Sequence, residues 1–487
     1  MALASFEPVI GLEVHCQLKT RSKAFCACPV VFGAEPNTAV CPVCLGYPGV
    51  LPVVNREMVT LAMRVVLATG GTICERSVFA RKNYFYPDLP KGYQISQFVR
   101  PLATGGGLDV GSGAGTRFIR LHRIHLEEDA GKSMHEFPWD DVPSNVSLVD
   151  LNRAGTPLVE IVTEPDLRTP DEAADFLGTL RRLVRWVDAS DGNMEEGSLR
   201  CDANVSIRPA GSAALGTKVE IKNLNSIAHV KKALEHEIAR QSALVAGGGT
   251  VVQETRLFEP GPGTTKPMRS KEEAMDYRYF PEPDLGTLVV DAAWREEVSR
   301  SLPELPEARA ARLVSSLGLS GSDARLVMLS RPLADWYESA VAAHPGNPKG
   351  IANWLLSDLL GRMTDADKQA GRVPLRPEVL ARLVRRIDDG TISGKIAKEL
   401  IPDLVATGKE PDELIRERGL VQIVDEGPIL EVVRRIVAES PSQAATYRSG
   451  KAATFGWFVG QVMKATAGKA NPAVVNRLLM EELGRDP

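Results

Sequence analysis

The side chains best placed for chemistry begin near the start of the chain. In VIGLEVHCQLK, residues 9–19, Ile10, Leu12, Val14, Cys16 and Leu18 alternate with Glu13, His15, Gln17 and Lys19. A period of two describes a β-strand with one apolar and one polar face. Same-face neighbours in a strand lie about 6.6 Å apart, so Glu13 and His15 can converge on one cation or phosphate between them. Further acids follow in RLHRIHLEEDAGK, residues 120–132, where Glu127, Glu128 and Asp129 are adjacent and Lys132 stands just beyond Gly131. Three neighbouring acids need cations or hydrogen bonds to offset their repulsion. Alternation sends Glu127 and Glu128 to opposite faces, so one of them looks into a shared site, and the pattern leaves open which. Glu160 lies inside the apolar run LVEIV, where an ionised carboxylate is costly unless paired or metal-bound. Hard oxygen ligands of this kind suit magnesium, held by one or two carboxylates together with substrate phosphates.

A second cluster is of sulfur. Cys26 and Cys28 form a Cys-x-Cys pair, and Cys41 and Cys44 follow as Cys-x-x-Cys. The second pair is a common zinc half-site, and the first is one residue tighter than the usual spacing. Seven cysteines, four within nineteen residues, read in a reducing compartment as a closed structural zinc site that pins a loop lacking its own core. The glycine-rich TGGGLDVGSGAGT, residues 104–116, matches no phosphate-loop pattern and reads as a hairpin tip.

The elements that must position these groups are legible in outline. Residues 48–70 show helical spacing through Met58, Leu61, Ala62, Val65 and Val66. Thr169-Pro170-Asp171-Glu172 opens a helix as a capping box, with Phe176, Leu177, Leu180, Leu183 and Val184 as its buried stripe. Asn225 or Ser226 caps another, carrying Ile227, Val230, Leu234 and Ile238. RKNYFYPD from Arg81 and DYRYFPEPD from Asp276 combine aromatics with charge, and with MEEGSLRCDANVSI from Met194 and KVEIKNLNS from Lys218 they suit the walls of a polar cleft. After about residue 295 the chain turns almost wholly helical, with Gly419 as the left-handed cap of a short helix. No acid occurs from Pro441 to Met480, whereas Arg448, Lys451, Lys464, Lys469 and Arg477 do, a local basic face suited to phosphate backbone.

With 487 residues the chain is long enough for about three domains. A net charge of −4 makes any nucleic-acid contact a matter of local patches. The absence of membrane-length apolar runs and of a basic or amphipathic leader sets cytoplasmic residence, with no membrane partner, as the expectation.

GLEVHCQLKT, RKNYFYPDLPKGYQISQ, HLEEDAGKS, DLNRAGTPLVEIVTEPD, MEEGSLRCDANVS, KNLNS and DYRYFPEPD resemble, in order, the B-subunit family of glutamine-dependent aspartyl/glutamyl-tRNA amidotransferases. GLVQI from Gly419 and FGWFVGQVMKATAGKANP from Phe455 are similar to that family's tail. The resemblance implies an α+β architecture. A cradle-like catalytic domain of glutamine synthetase-like fold with a mainly antiparallel sheet (1–295) precedes two all-α domains, a helical domain (296–405) and a YqeY-like, tRNA-binding tail (406–487). It implies ATP-dependent phosphorylation of the side-chain carboxylate of Glu-tRNA(Gln) or Asp-tRNA(Asn). Ammonia channelled from a glutaminase A subunit then displaces the phosphate, and a small C subunit completes the heterotrimer. Carried over by motif, Glu13, His15, Glu128 and Glu160 hold Mg²⁺ and the phosphoryl group, with Lys132 nearby, which chooses Glu128 over Glu127. Arg81, Asn83, Tyr84, Glu196, Arg200, Asn204 and Lys222 fall to ATP, and Arg448, Lys451, Lys464 and Lys469 to tRNA. The four-cysteine cluster occurs in only some members, so Zn²⁺ at Cys26, Cys28, Cys41 and Cys44 rests on spacing as well as kinship. No Ser, Cys or Lys nucleophile constellation is found, as expected if the glutaminase is a separate polypeptide. A competing reading from another class is a tRNA-binding adaptor whose acidic pocket is structural. An archaeal-type relative specific for tRNA(Gln) carries an inserted domain for which 487 residues leave no room.

Overall fold

The computed structural model describes residues 6–111, 115–134, 146–268, 277–420, 426–466 and 469–484. The polar and apolar alternation of the first motif builds the centre of the molecule. Strand β1 (Phe6–Gln17) buries Ile10, Leu12, Val14 and Cys16 completely or nearly so, while Glu13 and His15 are only partly covered. It pairs antiparallel on one side with β3 (Pro157–Thr163) and on the other with β4 (Leu199–Pro209). Beyond β3 lies β2 (Arg117–Glu128), and beyond β4 lies β5 (Val219–Leu224), both antiparallel to their neighbours. Among the described residues short strands extend this sheet to ten, and of these only Thr255–Glu259 runs parallel to its neighbour, β5. The glycine-rich segment behaves as expected: Gly107–Val110 pairs with Arg117–Arg120 as a hairpin, its tip at 112–114 lying outside the described residues.

Three helices cover the apolar face. Helix α1 (Arg56–Ala68) is shorter than the 48–70 periodicity predicts, because Asn55 caps it by accepting from the Glu57 and Met58 N–H groups. Helix α2 (Pro170–Trp186) starts at Thr169, whose side chain accepts from Glu172 N–H. Glu172 reaches back to the Arg168 N–H at 2.6 Å, one residue before the position a capping box prescribes. Helix α3 (Ile227–Ala246) is capped by Ser226 and not by Asn225. Their buried residues, Phe176, Leu180 and Leu234 among them, join Leu12, Val14, Val159 and Leu199 in one core. The polar face of the sheet is left to line a cleft. A small three-stranded sheet of Ala80–Asn83, Tyr93–Ser96 and Phe280–Pro281 contributes to that cleft's walls.

The chain forms two compact units, residues 1–305 and 306–487. The domain end expected after residue 295 falls inside the helix Ala292–Ser301, whose Trp294 and Val298 are buried in the first unit's core. The second unit is helical throughout its described residues. Gly419, at φ 58°, follows the helix Pro411–Glu417 as its left-handed cap. Four helices between Glu426 and Leu483 enclose a core of their own around Val433, Phe458, Val475 and Leu479. Among the described residues no helix is long and apolar enough to cross a membrane. Asp276 of the DYRYFPEPD motif and Val421-Gln422-Ile423 of the GLVQI motif lie outside the described residues.

Phe176 is fully buried where α2 meets the sheet. Phe176→Ala is expected to destabilise the first unit by about 3–5 kcal/mol through lost transfer energy and a cavity, read as a lower denaturant midpoint.

Candidate active site

Sheet register brings the chemistry together. His125 of β2, Glu160 of β3, His15 of β1 and Arg200 of β4 are directly opposite one another on four adjacent strands. Glu127, two residues beyond His125, shares its face, and alternation turns Glu128 to the other. His15 Nε2 lies 3.4 Å from Glu160 and 3.6 Å from Glu127. His125 Nε2 lies 3.2 Å from Glu160 and 3.9 Å from Glu127. Ser96 donates to Glu127 at 3.3 Å. Burial by itself would raise the Glu160 pKa, but the two imidazoles outweigh it and hold this carboxyl well below its usual range. Burial likewise works against the His15 charge, yet Glu160 and Glu127 raise its pKa to about 9. A divalent cation supplies the same compensation as that proton, so the two compete for the site. One ligand atom each from His15, Glu127 and Glu160 all fall within 4.8 Å of one another, a grouping that can hold a metal ion.

The grouping differs from the expected one at two carboxylates: Glu127 stands where Glu128 was expected, and Glu13 is not part of it. Glu128 does not face the cleft: it pairs with Lys91 and accepts from the Ile95 N–H at 2.9 Å, behind the sheet face that carries Glu127. It lines instead a small cavity together with Lys23 and Cys44. Glu13 lies in the cleft but outside this trio, accepting from Asn204 at 3.0 Å. Its pKa is raised, first by burial and then by Glu160, Glu220 and Asp202.

The cleft has a volume of about 700 Å³. Of the residues expected at ATP, Tyr84, Arg200 and Lys222 line it, and Asn204 touches it through Glu13. Arg200 is held by Asp129 at 2.6 Å, and Lys222 by Asp202 at 3.0 Å and Glu220 at 3.1 Å. Arg81 and Asn83 are turned away by strand alternation. Arg81 forms a two-pronged pair with Glu282 at 2.7 and 2.8 Å, and Asn83 donates to the Arg278 carbonyl at 2.8 Å. Glu196 is exposed in the turn following Asn193, and Lys132 is exposed on a two-stranded ribbon opposite Asp150, so neither lines the cleft. Sequence reading left Glu127 open against Glu128, named Asp129 only as a neighbouring acid, placed Lys82, Asp202 and Glu220 only within segments suited to cleft walls, and passed over His125. Period-two counting from Glu127 would have found His125, and the same counting from Tyr84 would have found Lys82.

The four cysteines also meet, each offering a sulfur within 4.8 Å of the others. Cys44 Sγ accepts from the Cys41 N–H at 3.1 Å and lies 3.6 Å from the Nζ of fully buried Lys23. A hydrogen bond from Cys26 most of all, then the Cys41 N–H and Lys23, lower the Cys44 pKa to about 4 against its burial. In the second unit Arg448, Lys451 and Lys464 are exposed and Lys469 is half-buried. Arg477 is tied to Glu426 and Glu481.

Residues 8–296 match the GatB/GatE catalytic domain, and residues 335–483 match the GatB domain. The chain belongs to the GatB family. Similar relatives are aspartyl/glutamyl-tRNA(Asn/Gln) amidotransferase subunits B. The chain is 51% identical to that of Persephonella marina over 478 residues, covering 98% of this chain and 99% of the relative. It is 52% identical to the Geotalea daltonii protein over 480 residues, again 98% and 99%. For the Moorella thermoacetica protein the figures are 51% over 478 residues, 98% of this chain and 100% of the relative. The GatB catalytic-domain match spans every residue of the His15–Glu127–Glu160 grouping and all four cysteines.

The two neighbouring acids should separate in experiment. Glu127→Gln is expected to weaken Mn²⁺ binding in calorimetry by more than the roughly 10-fold that loss of an outer-shell partner costs, because a charged oxygen donor of the grouping becomes a neutral amide. Glu128→Gln leaves the buried Lys91 ammonium uncompensated and should cost about 3–5 kcal/mol of stability without comparable loss of Mn²⁺ affinity.

Proposed function

We propose that this chain is the B subunit of a heterotrimeric tRNA-dependent amidotransferase, a ligase of protein biosynthesis that forms an amide with glutamine as nitrogen donor. The observation that carries the reading is the convergence of two buried carboxylates and an imidazole in one large polar cleft of a GatB-family chain. The substrate is the side-chain carboxylate of Glu-tRNA(Gln), Asp-tRNA(Asn) or both. A carboxylate is a poor electrophile and must first be converted to an acyl phosphate. In phosphoryl transfer the protein's share is mostly positioning and neutralisation of charge. His15, Glu127 and Glu160 would hold the Mg²⁺ that accompanies ATP and supplies that neutralisation when bound. Arg200 and Lys222, held in place by Asp129 and by Asp202 and Glu220, border the phosphates, and Glu13 with Asn204 borders the same floor. Ammonia from the glutaminase A subunit completes the reaction, and a small C subunit joins the assembly. The catalytic unit is a cradle related to glutamine synthetase, which the mainly antiparallel sheet with helices on one face supports. The helical region divides into a connecting domain and a tail that offers Arg448, Lys451, Lys464 and Lys469 to the tRNA backbone. The cysteine site is closed, having four sulfur donors, and would hold structural Zn²⁺.

Two measurements test this. With A and C subunits supplied, Glu160→Gln should reduce ATP-dependent amide formation on misacylated tRNA at least about 100-fold while the partner's glutaminase activity persists. Undiminished product would return the protein to the adaptor reading. Metal analysis of the purified protein should give one zinc per chain, and Cys44→Ser should bring it well below half.

A further inference from the structure

The aromatic residues of the cleft form a continuous row. Tyr84 and Tyr277 meet edge to face at 6.0 Å between ring centres, Tyr277 and Tyr279 at 6.1 Å, and Tyr279 stacks on Phe98 at 4.2 Å and 6°. The three tyrosines line the cleft, and Phe98, 44% exposed, carries the row to solvent. At its inner part stands Lys82, whose Nζ is 4.8 Å from the centre of the Tyr277 ring and 5.9 Å from that of Tyr84. Rings facing an ammonium stabilise it without neutralising it.

Lys82, on the cleft wall, differs from the two cations of the floor, and Arg123, the further cation lining the cleft, donates to the Phe98 carbonyl at 3.4 Å. Arg200 is spoken for by Asp129, and Lys222 by Asp202 and Glu220. Among the described residues no carboxylate lies within 4 Å of Lys82, although it shares the cleft with Glu127 and Glu160. Glu127 and Glu160 favour its charge from beyond contact distance, which leaves room for one anion in direct contact. A triphosphate brings several charges and its own cation, whereas an aminoacyl side chain brings one carboxylate. A row of rings running inward from the surface also suits the end of a nucleic-acid strand, since single-stranded ends are recognised by stacking of unpaired bases on aromatic side chains.

We infer that Lys82 and the Tyr84–Tyr277–Tyr279–Phe98 row form the subsite for the aminoacylated 3′ end of tRNA. The side-chain carboxylate rests on the Lys82 ammonium and the terminal base lies against the rings. This deepens the amidotransferase reading and rests on it. It also moves Tyr84 from the nucleotide's contacts to those of the acyl acceptor.

The test uses the assembled heterotrimer without ATP, binding Glu-tRNA and its uncharged product Gln-tRNA. A charge-assisted contact predicts that the wild type prefers Glu-tRNA by about tenfold. Lys82→Met should erase the preference and Lys82→Arg should keep most of it. In turnover, the KM for ATP should stay within about twofold in both variants. A tRNA with 2-aminopurine as its last base should be quenched on binding, and Tyr279→Leu should relieve the quench. A raised KM for ATP with the Glu-tRNA preference intact would assign Lys82 to the nucleotide and overturn the inference, as would an unquenched terminal base in the wild type. If the wild type amidates Glu-tRNA yet shows no preference, the subsite alone fails. If it binds neither tRNA, the amidotransferase reading fails and takes the subsite with it.

Discussion

An ionised glutamate at the centre of a sheet is the constraint on which this structure turns. Glu160 is largely buried in β3 and lies between His125 of β2 and His15 of β1. Its charge is tolerated only because two imidazoles face it from the neighbouring strands, and those partners exist only in one register. Slipping β1 by one residue would point His15 at the helices and put Val14 or Cys16 beside the carboxylate. The hydrophobic alternation of β1 therefore does two jobs at once. It binds three helices on one face, and on the other it sets the spacing of groups that can hold a cation.

The same alternation divides two adjacent acids between two tasks. Glu127 joins the cation grouping, and Glu128 pairs with Lys91 toward the cavity that also holds Lys23 and Cys44. One edge of the site is thereby tied, through a single peptide bond, to the loop gathered by the four cysteines. That loop has little apolar packing of its own, with Phe32, Tyr47 and Leu51 exposed. Its stiffness must come from the sulfur cluster and from hydrogen bonds such as those between Asn37 and the backbone at Val149 and Leu151.

The cleft as a whole balances its charges by pairing most of them. Asp129 faces Arg200, and Asp202 and Glu220 face Lys222, so the floor is polar without being strongly acidic or basic. A site arranged this way suits activation of a carboxylate by phosphate, where fixed charges and a divalent ion matter more than a nucleophilic side chain. The second unit arranges its charge differently. A run free of acids from Pro441 to Met480 leaves Arg448, Lys451 and Lys464 at the surface without any change in the protein's negative total.

Much of this was readable in the chain by itself. Alternation in β1, the caps at Thr169 and Ser226, the glycine at 419 and the cysteine spacing are all local, depending on neighbours a few residues away. The long motifs were enough to place the family. Which of Glu127 and Glu128 enters the site was not readable, because a strand's two faces are equivalent until another layer packs on one of them, and motif kinship chose the other. Arg81 and Asn83 were placed in the cleft for their polarity, yet Glu282 and the Arg278 carbonyl, some 200 residues away in sequence, claim them. His125, Asp202 and Glu220 gained significance only through strand pairing. The sequence determined which residues could carry charge and on which side of each strand they alternate. Tertiary structure decided which of those sides faced the cleft, since that depends on burial of the opposite face against helices far along the chain.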